Sequence, residues 1–249
     1  MLFTTVIARP QHRELLLGAL TGILAVALSI VAIGTLAVNG LHLSAAYLPK
    51  AMLLFALGAA LVLLALPSHR FDRMGSANQV TILRGALIAL LAGLLGEHGS
   101  SATAAVAVIV ASATLALDGV DGWLARRSGM ASEFGARFDM ETDAVFVAVL
   151  AVLVWQFGKA GSWVLLSGLM RYLFAAAVLL VPRLQRPIPS TMRGKSIAVL
   201  QMIALILALA PVCSPTISVW IAAIGLLALV LSFSLDAVWL LRQPARDAA

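Results

Sequence analysis

The chain has 249 residues and is too apolar for a soluble domain, because 62% of its residues are hydrophobic and only 11% are charged, against roughly 25% in ordinary soluble proteins. A net charge of +6 often indicates a nucleic-acid partner. Here, however, the basic residues flank apolar stretches, where they set orientation and meet anionic lipid headgroups. The composition therefore excludes nucleic-acid binding and predicts a polytopic membrane protein. With a single cysteine, Cys213, the fold has no internal disulfide.

Apolar stretches of about 20 residues, the length of a helix that crosses a bilayer, follow one another along the chain. They predict an all-α membrane bundle of eight transmembrane helices, at residues 14–38, 45–66, 79–96, 101–124, 138–157, 160–182, 196–212 and 215–241. Glycine, proline, serine and charged residues mark the gaps between them. Because these connections are short, we expect neighbouring helices to be antiparallel.

The predicted helices fall into two groups that differ in ionisable residues. Residues 1–74 predict a two-helix transmembrane extension followed by a polar linker, with few charges inside the helices. Residues 75–249 predict a six-helix bundle that carries every motif of interest. We therefore expect an N-terminal hairpin attached to a catalytic bundle.

Lysine and arginine are distributed unevenly between the two ends of the predicted helices. If the N-terminus is cytoplasmic, thirteen of the seventeen basic residues fall on the cytoplasmic side, and only Lys50 and Lys159 fall on the other. The positive-inside rule then places both termini and the acidic motif described below in the cytoplasm. We expect an integral protein of a bacterial inner membrane.

Four aspartates lie where the predicted fourth helix ends and the fifth begins: Asp118, Asp121, Asp139 and Asp143. Carboxylates in so apolar a chain are costly unless something binds them. Spacings of three and four residues put each pair on one helix face, and two adjacent antiparallel helices can bring the pairs together. With no histidine or cysteine nearby, the hard oxygen donors favour magnesium or manganese. The pattern predicts a metal site that could hold two ions.

Such a site suits phosphoryl transfer. Two metal ions stabilise the attacking and leaving oxygens, and a carboxylate left partly free can take a proton from an acceptor hydroxyl. Gly119, Gly122 and Gly135 leave bare backbone beside the acids, which permits the close approach of a phosphate or nucleotide. Arg126 can neutralise phosphate charge.

The segment DGVDGWLARRSGMASEFGARFDMETD, from Asp118 to Asp143, matches the pattern D-x2-D-G-x2-A-R-x8-G-x3-D-x3-D at all eight fixed positions. In this segment the chain resembles the class I, integral-membrane CDP-alcohol phosphatidyltransferases. A second segment, NQVTILR from Asn78 to Arg84, is similar to the family's N-x-L-T-x-x-R, with Val80 in place of leucine. The resemblance covers roughly residues 75–241 and leaves the N-terminal hairpin outside it.

The resemblance implies an enzyme that transfers the phosphatidyl group of a CDP-activated lipid, with CDP-diacylglycerol expected, to the hydroxyl of a small alcohol and releases CMP. It implies two Mg²⁺ ions, with Mn²⁺ as an alternative, held by Asp118, Asp121 and Asp139 with Asp143 as a further ligand. Asp143 would also be the catalytic proton acceptor. The implied contacts to the CDP-lipid are Asn78, Thr81, Gly122, Arg126 and Ser132.

The acceptor alcohol is not readable from a motif. Arg183 and Arg186 lie at a predicted cytoplasmic junction where they could bind an acceptor phosphate, although positive-inside charge also explains them. Glycerol 3-phosphate is our first expectation, and inositol phosphate, serine or another small alcohol remain open. Because family members are often dimers, the resemblance also leaves a homodimer open.

Two interpretations from other classes remain. A cation-coupled transporter would use the carboxylates as a cation site, but such sites usually lie near the bilayer midplane within broken helices. These acids instead lie at helix ends. An inactive lipid-binding homologue is the other alternative, and the presence of all eight motif positions argues against it. The sequence therefore favours the enzyme.

Overall fold

The computed structural model describes residues 10–65, 76–128, 133–181 and 192–242. These residues form eight α-helices and one short 3-10 turn, Ser162–Leu165, and contain no β-strand. The prediction of an all-α fold with eight helices is confirmed. The helices are α1 (Pro10–Leu41), α2 (Tyr47–Ala65), α3 (Ser76–Gly93), α4 (Ser101–Ser128), α5 (Glu133–Gln156), α6 (Leu166–Leu180), α7 (Met192–Leu209) and α8 (Pro215–Arg242).

Six helical segments of the described residues are long and apolar enough to cross a membrane, namely α1, α2, α4, α7, α8, and α6 together with the 3-10 turn before it. Helix α3 contributes a shorter apolar segment, Asn78–Gly93, and α5 carries charged residues through its first turns. Many large apolar side chains point outward, including Leu36 at 73% exposure and Leu180 at 81%. Extensive exposed apolar surface of this kind marks contact with a membrane.

Local hydrogen bonds explain where the helices begin and end. The Ser100 hydroxyl accepts the backbone N–H of Thr103 at 3.0 Å, which caps the start of α4. At the end of α5, Gly158 has φ +65° and the next N–H, of Lys159, donates to the carbonyl of Val154 at 3.0 Å. This is a Schellman motif, which glycine favours because the left-handed backbone costs it little.

The chain divides into two compact units, Met1–Phe146 and Val147–Ala249. In the first unit, α3 packs against α1, α2 and α4. In the second, α8 packs against α6 and α7. There α6 also lies so close to α5 that a Cβ atom on Gly168 would come within 2.7 Å of the Ala148 Cα. Small residues allow this approach, as they do between membrane helices in general.

Tyr47, the first residue of α2, fastens the hairpin α1–α2 to α3. Its hydroxyl donates to the carbonyl of Leu90 at 3.0 Å. Its ring lies beside two glycines, since an added Cβ would stand 2.7 Å from the ring at Gly93 and 3.6 Å from it at Gly34. Glycine at position 93 therefore makes room for the tyrosine ring, whereas at Gly34 the ring is in ordinary van der Waals contact and the close neighbour is Leu48, at 2.8 Å.

A buried carboxylate, Glu97, joins the α1–α2 loop to the α3–α4 loop at the same end of the unit. It accepts hydrogen bonds from the Lys50 ammonium at 2.7 Å, from the Ser44 hydroxyl at 2.6 Å and from the Ser44 backbone N–H at 2.8 Å. Burial alone would raise the pKa of Glu97, but the hydrogen bonds from Lys50 and Ser44 outweigh it and lower the pKa to about 2. The ionised carboxylate is therefore what holds the two loops together.

Replacing Glu97 with glutamine should lower the free energy of unfolding at neutral pH by about 1.5–3 kcal/mol, the contribution of hydrogen bonds to a charged group. Because the pKa of Glu97 is lower in the folded protein than in the unfolded chain, its contribution is present above about pH 4.5 and disappears as the pH falls toward 2. Thermal unfolding in detergent between pH 7 and pH 3 measures this. Wild type should lose more stability than Glu97→Gln over this range, and parallel curves would contradict the assignment.

Candidate active site

The four motif aspartates converge at one end of the first unit. Asp118 and Asp121 lie in the last turns of α4, and Asp139 and Asp143 lie in the first turns of α5. Oxygen atoms of Asp118, Asp121 and Asp139 all lie within 4.8 Å of one another. Asp121 is buried and the other three are partly exposed. The structure thus brings together the two pairs that helical spacing predicts.

Arg84 of α3 lies at the centre of this acidic cluster, and its side chain is completely buried. Its Nη1 donates to Asp121 at 2.8 Å and to Asp139 at 2.6 Å. Its Nη2 contacts Asp118 at 2.8 Å and Asp143 at 2.5 Å. Each terminal nitrogen therefore bonds one carboxylate of α4 and one of α5. The planar fork of a guanidinium suits this double bridge.

Sequence reasoning missed this role. The sequence identified Arg84 only as the last residue of the second motif segment, whereas its side chain is 0% exposed and bonds the acidic cluster. The signal was available, because a charge inside an apolar helix usually faces the protein interior and pairs there. The four motif aspartates were the acidic partners available to Arg84 in the neighbouring motif-bearing helices.

Two further predicted residues, Thr81 and Asn78, lie on α3 beside the cluster. The Thr81 hydroxyl donates to Asp121 at 3.3 Å, and Thr81 is only 4% exposed. Asn78, about one turn earlier, is also buried. Gly122 directly follows Asp121 on α4 and is partly exposed. The motif of α3 and the motif of α4 are thus neighbours in the fold.

Other predicted residues cannot be placed in the same way. Arg126 belongs to the last turns of α4, but its side chain lies outside the described residues. Ser132, Arg183 and Arg186 lie outside the described residues altogether. Their proposed contacts with nucleotide and acceptor therefore stay predictions.

The cluster fits a divalent metal ion by its chemistry. Its donors are carboxylate oxygens, the hard ligands that magnesium and manganese prefer. A single guanidinium balances only one of four carboxylate charges, so the remaining negative charge favours a further cation. The guanidinium contacts all four carboxylates through its two terminal nitrogens, and its buried Nε has no hydrogen-bond partner among the described residues. The donor set therefore supports the predicted metal site.

Comparison with known proteins agrees with this geometry. The CDP-alcohol phosphatidyltransferase family model matches residues 74–232, a range that includes Arg84 and all four aspartates. The chain is similar to proteins named "Probable phosphatidylglycerophosphate synthase" from two strains of Mycobacterium tuberculosis, CDC 1551 / Oshkosh and ATCC 25618 / H37Rv. Each is 31% identical over 141 residues, which cover 56% of this chain and 68% of the relative. No solved structure matches the chain significantly.

The family match and the apolar helices lead to one conclusion. The match covers more than half of the chain, and six helices are suited to cross a membrane. Members of this family depend on divalent metal ions, which agrees with the oxygen donors of the cluster. The protein is an integral membrane transferase of phospholipid biosynthesis, and it belongs to the CDP-alcohol phosphatidyltransferase family.

Proposed function

We propose that the protein transfers the phosphatidyl group of CDP-diacylglycerol to the hydroxyl of glycerol 3-phosphate and releases CMP. The convergence of the four motif aspartates around Arg84 carries the proposal for the reaction. The similarity to probable phosphatidylglycerophosphate synthases supports glycerol 3-phosphate as the acceptor. The alternative acceptors to be tested are inositol phosphate, serine and other small alcohols.

In this proposal Asp118, Asp121 and Asp139 hold two Mg²⁺ ions, with Asp143 as a further ligand. When bound, the ions offset charge on the pyrophosphate oxygens, and Mn²⁺ has the same ligand preferences. Asp143 takes the proton of the acceptor hydroxyl while the hydroxyl oxygen forms a bond to the lipid-side phosphorus. The bond from that phosphorus to the CMP oxygen breaks, and CMP leaves. Asp143 suits this role because its side chain is 29% exposed and so is open to a substrate.

The remaining motif residues orient the substrates. Gly122 permits close approach of the CDP group to the backbone, and Arg126 and Ser132 contact the same group. Asn78 and Thr81 line the pocket from α3, where both are buried beside the acidic cluster. For the acceptor phosphate we assign Arg183 and Arg186.

We further propose that residues 75–249 form the catalytic bundle and that residues 1–74 form an accessory hairpin and linker. In the topology predicted from the sequence, thirteen of seventeen basic residues fall on the same side of the membrane as the acidic motif, which supports a bacterial inner-membrane protein with cytoplasmic termini and a cytoplasmic active site. The arrangement of subunits as a homodimer is tested by the mass of the purified protein in detergent.

The reaction is tested by incubating purified protein with CDP-diacylglycerol, Mg²⁺ and one alcohol at a time. We expect CMP release that depends on the acceptor and is fastest with glycerol 3-phosphate. The expected lipid product, identified by mass, is phosphatidylglycerophosphate. A chelator should abolish release, and adding Mg²⁺ back should restore it.

Control reactions omit the acceptor or replace it with inositol phosphate or serine. Faster release with either of these would reassign the acceptor and leave the reaction class intact. If CMP release is absent with every acceptor while a known family enzyme works in the same assay, the proposed transfer is wrong. Cation flux into vesicles that contain the protein is measured in parallel. Flux without CMP release would favour the transporter interpretation.

A further inference from the structure

The first unit contains a large apolar cavity separate from the acidic cluster. Its volume is about 530 Å³, within the range of about 300–1,000 Å³ for ligand pockets and far above the voids of ordinary protein packing. Three helices supply most of its walls, through residues 54–62 of α2, residues 82–88 of α3 and residues 137–145 of α5, with Ile23 of α1 beside them. One wall is therefore the N-terminal hairpin, which lies outside the matched family region.

The cavity has the depth of one membrane leaflet. At 1.5 Å per helical residue, its lining segments reach no further than roughly 18 Å from the ends of α2, α3 and α5 that lie beside the acidic cluster. Half of a hydrocarbon core of about 30 Å is about 15 Å. A lipid acyl chain that starts at the level of the cluster would therefore run along the cavity.

The cavity lies next to the active site, because the same two helices contribute to both. Helices α3 and α5 present Arg84, Asp139 and Asp143 to the acidic cluster, and neighbouring faces of the same two helices line the cavity. The charged residues Arg137 and Glu141 lie in its α5 wall, within the first turns of the helix. Charge is thus confined to the end where a lipid phosphate would lie, and Arg137 has the sign that attracts it.

The hairpin is fastened at one end and lines the cavity nearer the other. At the far end, Tyr47 and the Lys50–Glu97 pair fix it against α3 and the α3–α4 loop. Toward the acidic end, the hairpin and the helices α3 and α5 line the cavity together. Leu57 and Leu61 at its border are 55% and 68% exposed, so a chain can enter sideways from the bilayer.

We propose that this cavity binds one acyl chain of the CDP-activated lipid donor, and that the N-terminal hairpin thereby sets the enzyme's preference for acyl chain length. The inference rests on the proposed function for the identity of the donor. It gives the hairpin a role in substrate selection that the motif residues do not supply, because they contact the polar part of the donor.

Gly58 of α2 gives a direct test. It lines the cavity, and a Cβ atom added there would meet nothing within 4 Å, so Gly58→Leu fills space without displacing protein atoms. Gly58 lies roughly 10 Å from the end of α2 at 1.5 Å per residue, deeper than a six-carbon chain reaches. The matched control is Gly18→Leu on α1, an exposed glycine that also has open space around it and does not line the cavity.

We expect Gly58→Leu to lower kcat/KM for a donor with sixteen-carbon chains by about tenfold, the effect of burying roughly two fewer methylene groups. It should leave kcat/KM for a six-carbon donor nearly unchanged, and Gly18→Leu should change neither. An equal loss with both donors, or no loss with either, would overturn the assignment of the cavity. Turnover of the six-carbon donor shows in the same assay that the enzyme is folded and that the proposed reaction occurs.

A second measurement needs no turnover. CDP-diacylglycerol with a photoreactive diazirine near the end of one acyl chain should label residues 54–62 of wild-type α2, and Gly58→Leu should reduce this labelling severalfold. If the label falls only on other helices, the acyl-chain site is wrong even where transfer is measured. Labelling of α2 in a protein without transferase activity would instead preserve the cavity's role and reject the proposed function.

Discussion

Replacing Asp143 with asparagine should lower acceptor-dependent CMP release by about 100- to 10,000-fold, the usual contribution of a general base. The amide is nearly the same size as the carboxylate but cannot take the proton from an acceptor hydroxyl. Asp118, Asp121 and Asp139, whose oxygens lie within 4.8 Å of one another, remain in the variant. Binding of the CDP-lipid should therefore persist while transfer is lost.

Two measurements separate these effects. Binding of a CDP-lipid by calorimetry should change little in Asp143→Asn, whereas CMP release should nearly disappear. Asp236→Asn is the matched control, because Asp236 is also a carboxylate paired with an arginine, Arg193, and has no place in the proposed mechanism. Wild-type turnover by Asp143→Asn would exclude Asp143 as the proton acceptor. Equal loss of binding and turnover would assign it to ligand binding alone.

The sequence was sufficient to predict the helices, because eight apolar stretches separated by turn residues allow few other structures in a membrane. It predicted helix ends less well. The fourth and fifth helices extend to Ser128 and back to Glu133, beyond the apolar stretches 101–124 and 138–157. Hydropathy marks the part of a helix that lies in lipid, whereas the charged motif continues the same helices outside it.

The convergence of the aspartates was predictable for a related reason. Spacings of three and four residues fix the helix face, and a short connection between α4 and α5 fixes which faces can meet. The pairing of Arg84 with these four aspartates was not predictable in this way. Spacing within one helix does not determine which neighbouring helix a side chain faces. That depends on the packing of α3 against α4, which apolar composition alone leaves open.

Lys50 and Lys159 show the same limit. In the sequence these lysines serve only to indicate the orientation of the chain in the membrane. In the structure both side chains are bound within the protein. Lys50 pairs with Glu97, and the Lys159 ammonium donates to the carbonyls of Ala210 at 2.9 Å and Cys213 at 2.6 Å. Contacts between segments that are distant in the sequence form only when the helices pack, so no local sequence pattern predicts them.

Arg84→Met should destabilise the protein by about 3–5 kcal/mol, the cost of removing one partner from a buried ion pair. Methionine keeps much of the side-chain volume but leaves four carboxylates facing one another without the guanidinium. Each arginine nitrogen bonds one carboxylate of α4 and one of α5, so both connections between these helices are lost. Thermal unfolding in detergent with a chelator present measures the loss.

Divalent cations should then restore part of the stability of Arg84→Met. Mg²⁺ or Mn²⁺ would supply positive charge to the same carboxylates, and a ligand that binds only the folded state raises its stability. Arg84→Lys should fall between wild type and Arg84→Met without metal, because one compact ammonium keeps the charge but cannot form the double bridge.

The matched control for Arg84→Met is Arg193→Met, which removes an arginine whose side chain is 41% exposed and paired with Asp236. A surface pair of this kind contributes only about 0–1 kcal/mol, and its loss should not be restored by divalent cations. Burial of the arginine itself is the difference between the two ion pairs, because water can solvate the half-exposed guanidinium of Arg193 but cannot reach the guanidinium of Arg84, which is 0% exposed. If the two variants unfold at the same temperature without metal, Arg84 does not hold α4 and α5 together.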